Sequence, residues 1–386
     1  MAGGVFLSNT EPSTVRTVRY GSLWPEDHFG RDIANGFADA IALGTGGRIR
    51  VELTPPSPDD ALTAAVINGD LEMTSGHAIQ DHVPEFGLGY LPYLYRSFDD
   101  YQRIWSLGSP VSDSMAVHIE RRAVPVVALG YSIIGFRDLL VSDRRIDHLA
   151  DFRGLRVRFD GATTSRDTYA AFGATPHYVP YLAARQALCD GEIDAASNTA
   201  FNLIYLGWGE VAKHLHLTSH QLLTNIEVVN RDFWTLLSPA DQNLFRSEMA
   251  VACARFCATA KAKREEAISE LADVHGVRIH RLSPELIAQL TAAVQPLTQK
   301  FIREFALQTE FEAVISAQTF TTLDPTTLDP TTLDHDPPDG APQHETPPDG
   351  ALPDGAPQTR VHPQTRVHPT ALHPTTLHPT TKDDGP

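Results

Sequence analysis

Arginine is the side chain whose placement in this sequence most clearly suggests chemistry. Arg156 and Arg158 sit two apart in Leu155-Arg-Val-Arg-Phe159, a run that reads as a strand. Side chains alternate faces along a strand, so both guanidiniums point the same way. An arginine at a strand end facing a cleft can hold a carboxylate through two parallel hydrogen bonds. The plainer alternative is a pair of solvated strand arginines, with Asp160 as an ion partner. Nothing comparable points to catalysis. The chain has no Gly-x-Ser-x-Gly elbow, no Gly-x-x-x-x-Gly-Lys loop and no His-Glu-x-x-His pair. Gly44-Thr-Gly-Gly47 follows a helix and precedes a strand, the wrong order for a phosphate loop, so it reads as a helix stop. Glu26-Asp27-His28 falls just after the first strand, where a cleft would lie, but no nucleophile accompanies it. Cys253 and Cys257 are four apart in a helical stretch and share a face. They read as small buried residues, because no histidine or acidic partners stand near enough to suggest a metal. With Cys189 they make three cysteines, which argues against a disulfide framework. No cofactor is expected.

The elements that must position these residues alternate between strand and helix. Val15 to Tyr20 reads as a strand, and Phe29, Ile33, Phe37 and Ile41 recur every four residues as one face of a helix. Strands are expected at Ile49 to Leu53, Leu71 to Thr74, Val124 to Tyr131, Leu155 to Phe159 and Ile193 to Ala196, with a helix from Leu182 to Cys189. Ser57-Pro58, Ser238-Pro239 and Ser283-Pro284 each read as a helix start, serine capping and proline in the first turn. From Ala240 to His275 there is no glycine or proline. At ~1.5 Å per residue one helix there spans roughly 55 Å, longer than one lobe, so it should bridge two. The pattern gives an α/β chain with two mostly parallel sheets flanked by helices, ligands binding at strand carboxyl ends in the crevice between.

Composition bounds the rest. The 386 residues suit two lobes, and 42% hydrophobic content is enough for a core. A net charge of -17 excludes nucleic acid as a partner, since phosphate affinity needs clustered Lys and Arg. No apolar run approaches the ~18 residues of a membrane span. Residues 1–14 read as an unstructured lead without a convincing signal peptide, having no early Lys or Arg. From 321 to 386 the chain is repetitive and holds 14 of its 28 prolines and no aromatic residue. Such a segment cannot bury enough apolar area to offset its ordering entropy and reads as a disordered tail. Four of its histidines, His362, His368, His373 and His378, each precede a proline, which favours a solvated repeat over a metal site.

Several motifs occur in a specific order. They are Gly21-Ser-Leu-Trp-Pro-Glu-Asp-His28, Thr45-Gly-Gly-Arg-Ile-Arg-Val-Glu52, Val83-Pro-Glu-Phe-Gly87 with Leu91-Pro-Tyr-Leu-Tyr-Arg96, and Gly135-Phe-Arg137. Phe152-Arg-Gly-Leu-Arg-Val-Arg158, Ala187-Leu-Cys-Asp-Gly-Glu-Ile-Asp194 with Asn198, and Asp232-Phe-Trp234 with Leu237-Ser-Pro-Ala-Asp-Gln242 follow. Together, from about Val15 to Phe305, they resemble the solute-binding subunits of tripartite ATP-independent periplasmic (TRAP) transporters, the C4-dicarboxylate-binding type.

The resemblance implies a two-lobed periplasmic-binding-protein-like fold, with lobe one at 15–138 plus 222–255 and lobe two at 139–221 plus 256–310. It implies a binding protein and not an enzyme: Arg158 grips a ligand carboxylate and Asn198 faces the ligand. Arg137 is then a second cationic contact or a structural residue, and Trp24, Phe136 and Trp208 are cleft walls or core. It further implies a small organic acid as ligand, membrane permease subunits as partners, a monomer, and a periplasmic location. Departures from the family pattern bear on ligand identity: Thr199 stands where proline is usual, Ala196-Ser197 where Gln-Glu is usual, and Arg185 where tyrosine is usual. The rival readings are an enzyme or sensor on the same fold, or a degenerate copy, which an exposed Arg158 paired to Asp160 would favour.

Overall fold

The computed structural model describes residues 15–180 and 183–319; the lead 1–14 and the repeat tail fall outside the described residues. The first half contributes β1 (Arg16–Gly21), α1 (Phe29–Gly44), β2 (Ile49–Leu53), α2 (Asp59–Asn68), β3 (Met73–Gly76), α3 (Phe98–Ile104) and α4 (Pro110–Arg121). A long strand, β4 (Val126–Val141), leads to β5 (Arg156–Phe159), α5 (Thr163–Ala171), β6 (Thr175–Tyr178), α6 (Ala184–Cys189), β7 (Ala195–Asn198) and α7 (Ala200–Tyr205). A second long strand, β8 (His214–Asn230), returns to α8 (Arg231–Thr235), and α9 (Pro239–Asp273), β9 (Arg278–Arg281), α10 (Pro284–Glu304) and α11 (Gln308–Thr319) complete the fold.

The strands form one ladder in the order β2-β1-β3-β8-β4-β7-β5-β6, with β9 on β8. The two sheets expected from the sequence are the two ends of this ladder, joined because β4 and β8 run through both. At the first end β1 pairs parallel with β2 and β3. At the second, β5 pairs parallel with β6 and β7, and β9 with β8. The centre differs from the mostly parallel expectation: β4 and β8 are antiparallel to each other, and so are the β3–β8 and β4–β7 pairs. A strand that crosses to the second lobe and one that returns must run in opposite directions. The expected strand at Val124 to Tyr131 continues ten residues further, to Val141. Polar residues and Gly135 mask its second half in the sequence.

Hydrophobic periodicity sets the helices. The buried residues of α1, including Ile33, Phe37 and Ile41, face the sheet. Ser238 and Ser283 accept hydrogen bonds from the N–H groups of Asp241 and Leu286, each cap contributing about 1 kcal/mol. Ser57 does not cap: α2 begins at Asp59 after Pro58, without a side-chain cap. The long helix α9 packs Phe245, Met249 and Cys253 into the first lobe and Ala267, Ile268 and Leu271 into the second. It therefore spans the molecule, about 50 Å at its rise per residue. After α10, which packs Leu286, Leu290 and Val294 on the second lobe, the chain crosses back, and Val314 of α11 joins the first lobe's core. That last helix was not foreseen in the sequence. Among the described residues no helix is long and apolar enough to cross a membrane.

Two buried carboxyl groups lock this frame. Asp138 of β4, fully buried, accepts from the Ser219 backbone N–H at 2.9 Å and pairs with Arg264 of α9 at 2.6 Å. Burial raises its pKa, and Arg264 only partly offsets that. Glu227 of β8 accepts from the hydroxyls of Tyr20 and Ser75 at 2.7 and 2.8 Å, and burial pushes its pKa up to about 7.

Replacing Arg264 by Met strands the Asp138 carboxylate. It should cost about 3–5 kcal/mol in urea unfolding. Arg145→Ala, which removes an exposed pair with Asp147, should cost under about 1 kcal/mol. Glu227 gives a pH signature. Its folded pKa lies above the ordinary glutamate value of 4.5, so its contribution is complete below that value and is lost as pH rises through about 7. Glu227→Gln should flatten this decline, raising Tm at pH 8 more than at pH 4.5; equal shifts at both pH values would count against it.

Candidate functional site

A cavity of about 730 Å³ opens between the two ends of the ladder. Strands deliver several of its polar groups. β5 delivers Arg158, β4 delivers Arg137 and Ile134, β7 ends at Asn198, and β8 supplies Leu223 and Asn225. Trp24, Asp59, His77, Asp160 and Asn202 complete the chemically distinctive part of the wall.

The geometry of β4 follows from one glycine. The β4–β8 register slips between Ile133 and Gly135, making a bulge that turns Ile134 into the cavity. Gly135 has φ 154°, and a Cβ there would come within 2.9 Å of the Thr199 methyl. Glycine thus lets the crossing strand lie against the start of α7, where Thr199 caps the helix.

The two arginines are held differently. Arg158 is 3% exposed, and its Nε donates to the Val179 carbonyl at 2.9 Å. Its guanidinium carbon lies 6.0 Å from the ring centre of Trp208. Arg137, 5% exposed, pairs through Nη1 with Asp160 at 2.7 Å and donates through Nη2 to the Ser197 carbonyl at 3.3 Å. Burial alone would raise the Asp160 pKa, but Arg137, with help from Arg158, holds it far below the usual carboxylate range. So the ion partner of Asp160 is Arg137. Arg156, on the same strand face as Arg158, pairs with Asp194 at 2.6 Å away from the cavity.

Asn198 is fixed by its neighbours. Its Oδ1 accepts from the Thr199 N–H at 2.9 Å and from Asn202 Nδ2 at 3.1 Å. These bonds identify which end of the amide is oxygen, and leave Nδ2 as the donor available to the cavity. His77 presents its ring to the same cavity while its Nδ1 pairs with Asp59 at 3.0 Å. Asp59 also accepts from the N–H groups of His77 and Ala78. Burial would lower the His77 pKa, but the bond to Asp59 outweighs it and raises the value.

Four of the six residues singled out in the sequence, Arg158, Asn198, Arg137 and Trp24, meet at this cavity. Two do not. Phe136 packs edge-on against Phe98 at 5.4 Å in the first lobe's core. Trp208 is fully buried in the second lobe's core, beneath Arg158. Both are large apolar residues that the sequence could not place on one side or the other of a thin wall. His28 also leaves the cleft: its Nδ1 caps α1 by accepting from the Gly30 N–H, and burial lowers its pKa to about 4. Its ring stacks on Trp24 at 4.4 Å and meets Phe201 edge-on, forming an aromatic seam between the lobes beside the cavity. Asn225, Asn202, His77 and Asp59 were missed. A signal existed for Asn225: Gln221, Leu223, Asn225 and Glu227 alternate along β8 and all line cavities on one face.

The sequence profile described as bacterial extracellular solute-binding protein, family 7, matches residues 20–304. A C4-dicarboxylate-binding protein of Bacillus subtilis is 23% identical over 278 residues, 69% of this chain and 77% of that one. A 2,3-diketo-L-gulonate-binding periplasmic protein of Escherichia coli is 26% identical over 245 residues, 62% and 73% of the two chains. A solved TRAP periplasmic solute-binding protein from Ochrobactrum anthropi, with its C-terminus bound in the ligand-binding pocket, superposes with a TM-score of 0.74 at 23% identity. That match covers 80% of this chain and 98% of the other, and the likeness is one of fold.

The His77–Asp59 pair gives a direct test. In Asp59→Asn the ring loses the partner that raises its pKa, so its titration, followed by NMR of the Cε1 proton, should move to lower pH. An unchanged or raised midpoint would show that Asp59 does not set the charge of this ring.

Proposed function

The chain belongs to family 7 of the bacterial extracellular solute-binding proteins, whose members bind solutes for transporters and are not enzymes, and from that premise we propose that it captures a small organic acid through a single carboxylate in the interlobe cavity. Arg158 is the primary grip on the carboxylate. Asn198 adds a hydrogen bond through Nδ2, and Arg137, oriented by Asp160, supplies a second positive charge. Trp24 forms an apolar wall.

One observation carries the reading: a buried arginine and an oriented amide donor converge on one cavity wall. In such a place a bidentate arginine–carboxylate bond is stronger than it would be in water, because fewer solvent dipoles compete with it. The degenerate-copy alternative would gain from an exposed Arg158 tied to Asp160. Arg158 is buried, and Asp160 pairs with Arg137. Relatives bear on the ligand class: one is named for C4-dicarboxylates and another for 2,3-diketo-L-gulonate, both acids. On this reading the loaded protein acts as a monomer in the periplasm and hands its ligand to a TRAP permease.

A thermal-shift screen of the full chain against small carboxylates tests this. An acid present at 100 times its Kd should stabilise by about 2.7 kcal/mol. Arg158→Ala should weaken it by roughly 2–5 kcal/mol, about thirtyfold or more. Arg158→Lys should recover only part of that, since lysine keeps the charge but not the fork. Undiminished binding in Arg158→Ala would remove the proposed role.

A further inference from the structure

The end of the cavity formed by β8 carries a group that the carboxylate grip does not use. Asn225 is 0% exposed and lines the cavity, yet neither Nδ2 nor Oδ1 has a hydrogen-bond partner among the described residues. A buried amide with both ends unsatisfied costs a folded chain free energy, because it has given up its bonds to water. Such groups are uncommon in native structures and call for a physical reason. A ligand atom in the cavity supplies one.

The chemistry of the amide narrows that ligand. Nδ2 donates and Oδ1 accepts, so full satisfaction requires a partner that both accepts and donates. A hydroxyl, or a pair of adjacent hydroxyls, does this. A carboxylate only accepts and would be repelled by Oδ1; an ammonium only donates. Because both ends are unbonded, the amide can also turn over to suit the ligand without breaking a bond. The surrounding charge agrees. The wall sets Asp59, Asp60 and Asp160 against His77, Arg137 and Arg158, with Asp59 on His77 and Asp160 on Arg137. One ligand carboxylate at Arg158 fits that balance, and a second would find no third arginine among the described residues of this wall and Asp60 beside it.

Position completes the argument. Asn225 pairs with Ser132 in the stretch of β8 just before its contact with β3, on the first lobe's side. Arg158 and Asn198 come from β5 and β7, at the other end of the ladder. A ligand held at both places spans the lobes.

Resting on the carboxylate reading above, we infer that Asn225 is the specificity-determining residue of this cavity: it reads a hydroxyl on the end of the ligand remote from the carboxylate, and so selects hydroxylated monocarboxylates over dicarboxylates and unsubstituted acids.

The test uses calorimetric titration of the full chain at pH 7.5 with three probes: D-gluconate, succinate and hexanoate. Wild type should bind gluconate roughly tenfold or more tighter than either of the others. Asn225→Leu, which keeps the four side-chain heavy atoms and their branching at Cγ, should weaken gluconate by roughly 10- to 100-fold and leave hexanoate unchanged or tighter. Its Tm without ligand should equal or exceed that of wild type, because no bond is lost and an unsatisfied amide is removed. Three results overturn the inference: gluconate no tighter than hexanoate, succinate preferred, or equal losses for gluconate and hexanoate in Asn225→Leu. In each of these, loss of binding in Arg158→Ala would leave the carboxylate reading standing. Failure of all three probes to bind, or binding that ignores Arg158→Ala, would remove that reading and this inference with it.

Discussion

The molecule depends on one antiparallel pairing. β4 and β8 are hydrogen-bonded from Val126–Asn230 at one end to Val141–His214 at the other. Every other strand reaches the ladder through this pair, β3 and β9 through β8, β7 through β4, and the rest beyond them. Backbone hydrogen bonds cannot be left unmade in a buried strand, so the two lobes are not separable bodies joined by loops. They are opposite ends of two continuous strands. Slips in register at Ala128, Ile133 and Arg137 bend the pair where it crosses, and the cavity opens beside that bend. The third slip adjoins the pairing of Asp138 with Arg264, which ties the crossing to the middle of α9.

The site uses this frame to bury polar groups that would be costly elsewhere. Arg137, Arg158 and Asn198 each sit in or at the end of a strand and are each almost fully buried. Each is oriented by backbone or by a fixed partner: the Ser197 carbonyl and Asp160 for Arg137, the Val179 carbonyl for Arg158, and the Thr199 N–H for Asn198. Such preorganisation reduces the ordering cost that a flexible surface arginine would bear on binding. The acidic net charge of the chain is compatible with anion capture for the same reason. Long-range charge is screened by salt within about 8 Å, whereas contacts in a buried site are screened much less.

On one flank of the cavity the lobes meet through aromatic rings, with the Lys263 ammonium over the Phe201 ring. His28, with Trp24 stacked on it, and Phe29 of the first lobe face Phe201 and Tyr205 of the second. The Tyr205 hydroxyl also reaches Asp27 at 3.3 Å. Ring packing of this kind is short-ranged and tolerates small rotations, whereas the β4–β8 ladder resists them.

The sequence by itself determined the local elements and pointed to the residues of the proposed grip. Four-residue periodicity placed α1, the glycine-free stretch placed α9, and serine–proline pairs placed two of the three expected helix starts. These signals are local: they depend on which side chains fall within one turn of each other. Resemblance to a family, carried by the order of motifs, pointed to Arg158, Arg137 and Asn198, and the fold brings all three to one cavity. What only the tertiary structure decided was which of those residues share a cavity. Phe136 and Trp208 carry the same kind of side chain as Trp24, and their distance from the cavity depends on contacts to Phe98 and to the second lobe's core. The full lengths of β4 and β8, the ion partner of Asp160 and the unbonded amide of Asn225 all depend on residues tens of positions away. Burial, ion pairing and hydrogen-bond satisfaction are properties of what surrounds a side chain, and a chain fixes its surroundings only by folding.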